Sequence, residues 1–268
     1  MRKFGFAFII LVHLFLYVPI LVLAFYSFTN ASQIGTFQSF SFDNYIRLFT
    51  TEELRNMILG TVILALASSV LATILGTLGA VGSFYSRSLV DRAYASVNQI
   101  PVINADVVTG FSLCILLVVV LGISKDTYLP LLFGHVTLSA PFVYLSVIPK
   151  LKQMDSSLYE AALDLGATPF KALVRVVFPQ IFSGIVSGFM LAITLSLDDY
   201  FIATYTKPAM FDTISTYVVN ATKGSHTEIK TALWALSTVI FLIVIVVVAV
   251  ININANKDSN AMKQRRAV

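Results

Sequence analysis

From Phe4 to Phe28 the chain runs for 25 residues without an aspartate, glutamate, lysine or arginine. About 20 such residues, rising ~1.5 Å each, match the hydrocarbon thickness of a bilayer. The stretch follows a basic start, Arg2-Lys3, as a secretory leader would. It is nevertheless far longer than the 7–15 apolar residues of a leader's hydrophobic region. It reads as a retained first spanning helix, eased at Pro19 where a backbone N–H is missing.

Five further apolar runs follow, at about 57–82, 100–123, 128–149, 179–204 and 231–253. Only 12% of the residues are charged and 57% are hydrophobic. Water-soluble domains carry ~25% charged residues, so the expectation is a single all-α integral membrane domain of six spans over 1–268. An even number of spans puts both termini on one side. If that side is the cytoplasm, twelve of the 18 lysines and arginines lie inside, the strongest cluster being "KDSNAMKQRRAV" at the C-terminus. The excess of basic residues on cytoplasmic segments sets this orientation, and the net charge of +4 needs no nucleic-acid partner to explain it. Small residues recur along the second run at Ala65, Ser69, Ala72, Gly76 and Gly79, and along the fifth at Gly184 and Gly188. Such stripes let helix backbones approach closely in lipid. The lone Cys114 has no partner for an internal disulfide or a metal site.

Residues 150–178 form a charged, punctuated interlude that this topology places in the cytoplasm. Ser157 three residues before Glu160 has the spacing of a capping box opening a short helix. Gly166 is placed to end that helix, and Thr168-Pro169 to cap and open another. Pro179 marks entry into the fifth span.

Three acids remain that no loop claims: Asp106, Asp198 and Asp199. Each disfavours mid-bilayer insertion by about 2.5 kcal/mol or more, so function or pairing must retain it. At 100° per residue, Ser183, Ser187, Thr194 and Asp198 share one face of the fifth span. Asp198 is therefore expected to face a translocation path. Asp199 lies about 100° away, near the glycine face, and is expected against a neighbouring helix or subunit, within reach of the substrate near a pore mouth. Asp106 is a candidate second wall. No lysine or arginine lies in the spans to pair with them; His135 is the nearest candidate partner and reads as a satisfied interior histidine. Unpaired carboxylates favour cationic cargo, to which Tyr200, Phe201 and Tyr205 would add cation–π contacts unless they mark the interfacial belt.

The interlude resembles the EAA loop of inner-membrane permeases in binding-protein-dependent ABC importers. The matching residues are Glu160-Ala161-Ala162, then Gly166, then Val176-x-Phe178-Pro179, with the spacing intact and the two apolar positions conservatively replaced. What the resemblance implies is a six-helix type I importer bundle whose loop 150–178 docks on a separate ATPase. Glu160, Ala161, Ala162 and Gly166 then couple this chain to that motor. No G-x-x-x-x-G-K-[ST] occurs, so ATP and Mg would belong to the partner, with no cofactor on this chain and no enzymatic activity of its own. A narrower resemblance, to spermidine/putrescine permeases of the C type, rests on "FDNYIRLF", "ADVV", "EAALDLGA" and "LSLDDY". Ala105 departs from it, standing where that family often has proline. It implies a polyamine cargo, a path lined by Asp106, Asp198, Asp199 and Tyr200, and location in a bacterial inner membrane. Its implied partners are a second related permease, two ATP-binding subunits and an extracytoplasmic solute-binding protein. Asp43, Glu52, Glu53 and the segment 213–219 are candidate contacts for the binding protein. The alternatives are another solute on the same scaffold (an amino acid, iron or thiamine), a channel, or an intramembrane aspartyl protease. The last needs a Gly-x-Gly-Asp turn where this chain has "LSLDD".

Overall fold

The computed structural model describes residues 2–29, 39–155, 157–223, 232–242 and 245. Regular structure among them is helical, apart from one isolated bridge between Thr29 and Phe40. The chain divides into two compact units, residues 56–217 and residues 1–55 with 218–268.

In the second of these, α1 (Arg2–Tyr26) runs unbroken through Pro19 and presents apolar side chains outward, Phe15 among them. Helix carbonyls at a C-terminus lack partners and need donors from elsewhere. The short α2 (Asp43–Thr50) supplies donors to the turn just past that end. The buried Asn44 donates through Nδ2 to the carbonyls of Ser27 at 3.0 Å and Thr29 at 2.9 Å. Tyr45 lies beside it, its hydroxyl 2.8 Å from Ser27 Oγ. The "FDNY" sequence is thus a clamp on the end of the first helix. α12 (Ala232–Leu242) brings Phe241 against Tyr17, ring centroids 6.5 Å apart. The expected sixth span, 231–253, falls partly on α12; its remainder lies outside the described residues.

The larger unit holds most of α3 (Glu52–Phe84) and the start of α11 (Ile214–Lys223). Between them come α4 (Ser88–Ile103), α5 (Asp106–Cys114), α6 (Leu129–Gln153), α7 (Ser157–Asp164), α8 (Pro169–Ala172), α9 (Phe178–Asp198) and α10 (Phe201–Thr206). One π-helical segment, Ile115–Val120, extends α5, and another, Leu173–Val177, joins α8 to α9. α6 lies at the centre, where Val143, Val147 and Leu151 pack with Val177 of the second π-helical segment and Ile181 of α9. Lipid tails are as apolar as these side chains, so close packing rather than water exclusion holds the helices together. The glycines permit it. A methyl group on Gly184 would lie 3.0 Å from the Ser146 carbonyl, and one on Gly188 3.2 Å from the Val143 Cα. A buried hydrogen bond of 3.1 Å between Ser68 and Ser196 adds α3 to the bundle.

Among the described residues, four helices are long and apolar enough to cross a membrane. A fifth crossing arises if the pair α4 and α5 is counted as one span, though it bends by 103°. The third expected span, 100–123, is therefore broken rather than straight. Pro101 in the last turn of α4 lacks its N–H, and Asn104 and Ala105 then adopt extended backbone, with ψ of 147° and 134°. The fifth, 179–204, is broken too: α9 stops at Asp198, Asp199 is extended at ψ 124°, and the helix restarts as α10.

Candidate functional site

The carboxylate of Asp199 explains the second break. Its Oδ1 accepts from the Ile202 N–H at 3.2 Å and its Oδ2 from the Ala203 N–H at 2.7 Å. These are amides that a continuous helix would have bonded to its own carbonyls, so the side chain replaces one helical connection with a cap. Asp199 is buried, and its Oδ2 faces Nε2 of the fully buried His135 at 3.7 Å, beyond hydrogen-bond reach. Nδ1 of His135 donates to the Leu131 carbonyl at 2.9 Å. His135 therefore stands opposite the acid, with one ring nitrogen spent on its own helix and the other turned to Asp199.

Asp198, one residue earlier, points the other way and is exposed. Ser183, Ser187 and Thr194 are exposed on the same side of α9, making a polar stripe that ends at Asp198. The Ser187 and Thr194 hydroxyls donate to carbonyls one turn back, which reduces the penalty of holding them away from water.

Asp106 opens α5 immediately after the first break and is exposed. Gly110, four residues on and hence on the same face, lies against α10: a methyl group there would come 3.0 Å from the Ile202 Cα. The two breaks are therefore neighbours. A ring contact between Phe111 and Tyr205, centroids 5.7 Å apart, extends the α5–α10 interface. Tyr200 is half-buried and packs edge-on to Phe201 at 5.2 Å. Broken helices with acids at the breaks are tolerated in a membrane where they line a cavity or bind an ion.

The interlude after α6 forms a separate site. Ser157 is the first residue of α7, not its cap, and the bonds expected of a Ser157–Glu160 capping box are replaced by one to Asp155, whose Oδ1 accepts from the Ser157 N–H at 3.0 Å. Hydrogen bonds from the Ser157 side chain and backbone hold the Asp155 carboxyl below its ordinary range. The end of α7 is a left-handed turn. Gly166 has φ +84°, its N–H donates to Leu163 at 2.9 Å, and the Ala167 N–H reaches back to Ala162 at 3.0 Å. Thr168 Oγ1 then accepts from Lys171 at the start of α8. Glu160, Ala161 and Gly166 are exposed and Ala162 half-buried. Leu165 and Phe170 stand 90% and 74% exposed beside them, an apolar pair that water alone does not favour. Tyr159 anchors the segment, its ring 4.7 Å from Tyr85 just past the end of α3.

His135, the nearest candidate partner read from the sequence, faces Asp199, and the fold alone singles out which of the three acids it meets. The pairing of Tyr85 with Tyr159 escaped the sequence altogether.

Residues 72–257 match the family described as the binding-protein-dependent transport system inner membrane component. The chain is 31% identical over 236 residues to the spermidine/putrescine transport system permease protein PotC of Haemophilus influenzae, covering 88% of this chain and 91% of that one. It is 32% identical over 232 residues to the putrescine transport system permease protein PotI of Escherichia coli, covering 84% and 81%. Among solved structures, a bacterial ABC transporter involved in the import of the acidic polysaccharide alginate superposes with a TM-score of 0.71 at 19% identity, covering 91% of this chain and 92% of that one. At that identity the likeness speaks for the fold alone.

Proposed function

The chain belongs to the binding-protein-dependent transport system inner membrane components, and on that premise we propose that it forms a polyamine path through the bacterial inner membrane. It is a multi-pass permease of an ABC importer that works with a solute-binding protein. Polyamine cargo is supported by one observation above the rest: exposed Asp198 beside the break that Asp199 caps, with exposed Asp106 at the neighbouring break. Carboxylates there would meet ammonium groups transiently, and the rings of Tyr200 and Phe201 would add cation–π attraction. The names of the relatives from Haemophilus influenzae and Escherichia coli point to the same cargo.

In this reading both termini and the α7–α8 turn face the cytoplasm. A second related permease completes the path, and two ATP-binding subunits drive it with ATP and Mg. Closure of the ATPase pair pulls on α7, whose exposed Glu160, Ala161, Leu165 and Phe170 offer the surface a partner would cover. Tyr159 hands that motion to the end of α3 through Tyr85. The break between α9 and α10 then opens to the outside, receives the polyamine and passes it inward.

The test is ATP-driven uptake of labelled spermidine into vesicles carrying the whole transporter. Unlabelled putrescine or spermidine should suppress uptake, while an amino acid, ferric iron or thiamine should not. Suppression by one of the latter, with none by polyamines, would assign the scaffold to that solute.

A further inference from the structure

His135 carries no role in the transport reading above, yet it is the one imidazole buried beside the path among the described residues. We infer that His135 is a positioning residue: by facing Asp199 it fixes the α9–α10 break and so aims Asp198 into the path. The inference rests on that reading of Asp198.

The geometry carries it. The ring is wholly buried and tied to α6 through Nδ1 and the Leu131 carbonyl. A carbonyl oxygen only accepts, so Nδ1 bears a proton; Nε2 is the atom turned to Asp199 Oδ2 at 3.7 Å, and the two attract through a further proton between them, on Nε2 or on the carboxyl. Nε2 makes no well-aligned hydrogen bond among the described residues, and the acceptors that face it are Asp199 and the Ser196 backbone carbonyl. A lone polar nitrogen sealed in a bundle is unfavourable unless the group opposite it draws on it electrostatically. Asp199 in turn holds two free amides in the first turn of α10, those of Ile202 and Ala203. α10 itself has no freedom to drift sideways. Methyl groups on Gly110 of α5 and Gly134 of α6 would come 3.0 Å from the Ile202 Cα and 2.6 Å from its Cγ2. α10 is thus wedged between two glycines and pinned at its start by a carboxylate that His135 confronts. Asp198, the last residue of α9, takes its direction from that pinned break.

The experiment is polyamine uptake by the complete transporter, normalised to permease in the membrane, for His135→Leu, His135→Gln, Asp198→Asn and the double variant of His135→Leu with Asp198→Asn. Glutamine is chosen because its amide can donate toward Asp199 from about the place of Nε2. His135→Leu should lower uptake about tenfold, chiefly through a raised KM, because misplacing a binding group by about an ångström is enough for such a loss. His135→Gln should restore at least half of it. In the Asp198→Asn background, His135→Leu should add almost nothing, since the residue acts through Asp198. If the two losses multiply instead, His135 has only a structural role and the inference fails. Should His135→Leu not reach the membrane, His135→Gln decides: full loss with normal abundance overturns the inference. If Asp198→Asn alone leaves uptake intact, the path reading itself fails and takes this inference with it.

Discussion

Gly76 of α3 lies against Val143 of α6 with no room for a side chain. A methyl group there would stand 2.7 Å from the Val143 Cβ and 2.7 Å from the carbonyl oxygen of Ala140. Neither atom can swing away, so Gly76→Ala must push the two helices apart. Overpacking of this kind costs about 1–3 kcal/mol. Gly82, in the same helix, has nothing within 4 Å of its would-be methyl. Gly82→Ala should be neutral or raise stability by up to about 1 kcal/mol through helix propensity. Thermal unfolding in detergent checks both; equal melting temperatures for the two variants would refute the packing account.

The turn that ends α7 makes a separable prediction. Gly166 sits in open space but at φ +84°, so Gly166→Ala strains the backbone without a clash. A strain of about 1–2 kcal/mol should distort the α7–α8 angle while leaving the bundle intact. ATP-driven uptake should fall, with permease abundance unchanged. Glu160→Arg should weaken recovery of the ATPase with the permease. Wild-type uptake together with wild-type association in that variant would remove the docking role.

Asp155 gives the start of α7 a pH dependence of known sign. Its carboxyl is lowered by hydrogen bonds from the Ser157 hydroxyl and N–H, and it is fully exposed. A group with a depressed folded value adds stability above its unfolded value and loses it as pH falls through the folded one. Protection of the amides over 157–164, with the intrinsic pH dependence of exchange divided out, should therefore be constant between neutral and mildly acidic pH, and fall only below the ordinary carboxylate range. Asp155→Ala should show the faster exchange already at neutral pH; identical exchange in the two proteins would contradict this.

Removing the cap on α10 should be felt by the whole bundle. Asp199→Ala leaves the Ile202 and Ala203 amides without their acceptor and the His135 ring without the carboxylate it faces. Buried donors left unmet cost about 1–3 kcal/mol each, so a clear drop in melting temperature is expected. An unchanged melting temperature would show that water or a continuous helix replaces the cap.

The sequence revealed apolar runs, small-residue stripes and acids out of place, because each is a local pattern or a simple excess. The stripe of Ala65, Ser69 and Ala72 is buried, and Gly184 and Gly188 do meet α6. The turn at Gly166 was legible for the same reason, since glycine and the following Thr168-Pro169 carry their geometry with them. The helix breaks were not. Continuous hydropathy across Asn104 and Asp199 looks like an unbroken span; the missing N–H of Pro101 and the capping carboxylate of Asp199 end the helical bonding there, and the packing of α5 on α10 brings the two breaks together. Ser157 misled because a serine–glutamate spacing fits a capping box whether or not an aspartate two residues earlier does the capping.

The most direct test of the account lies at the polar end of α9. Initial rates of ATP-driven polyamine uptake should be compared for the native transporter, Asp198→Glu and Asp198→Asn, with the binding protein saturating. Retaining the charge should preserve most of the rate, whereas deleting it should lower the rate at least about tenfold, the loss of one charge-assisted contact. A full rate in Asp198→Asn would contradict the proposed path.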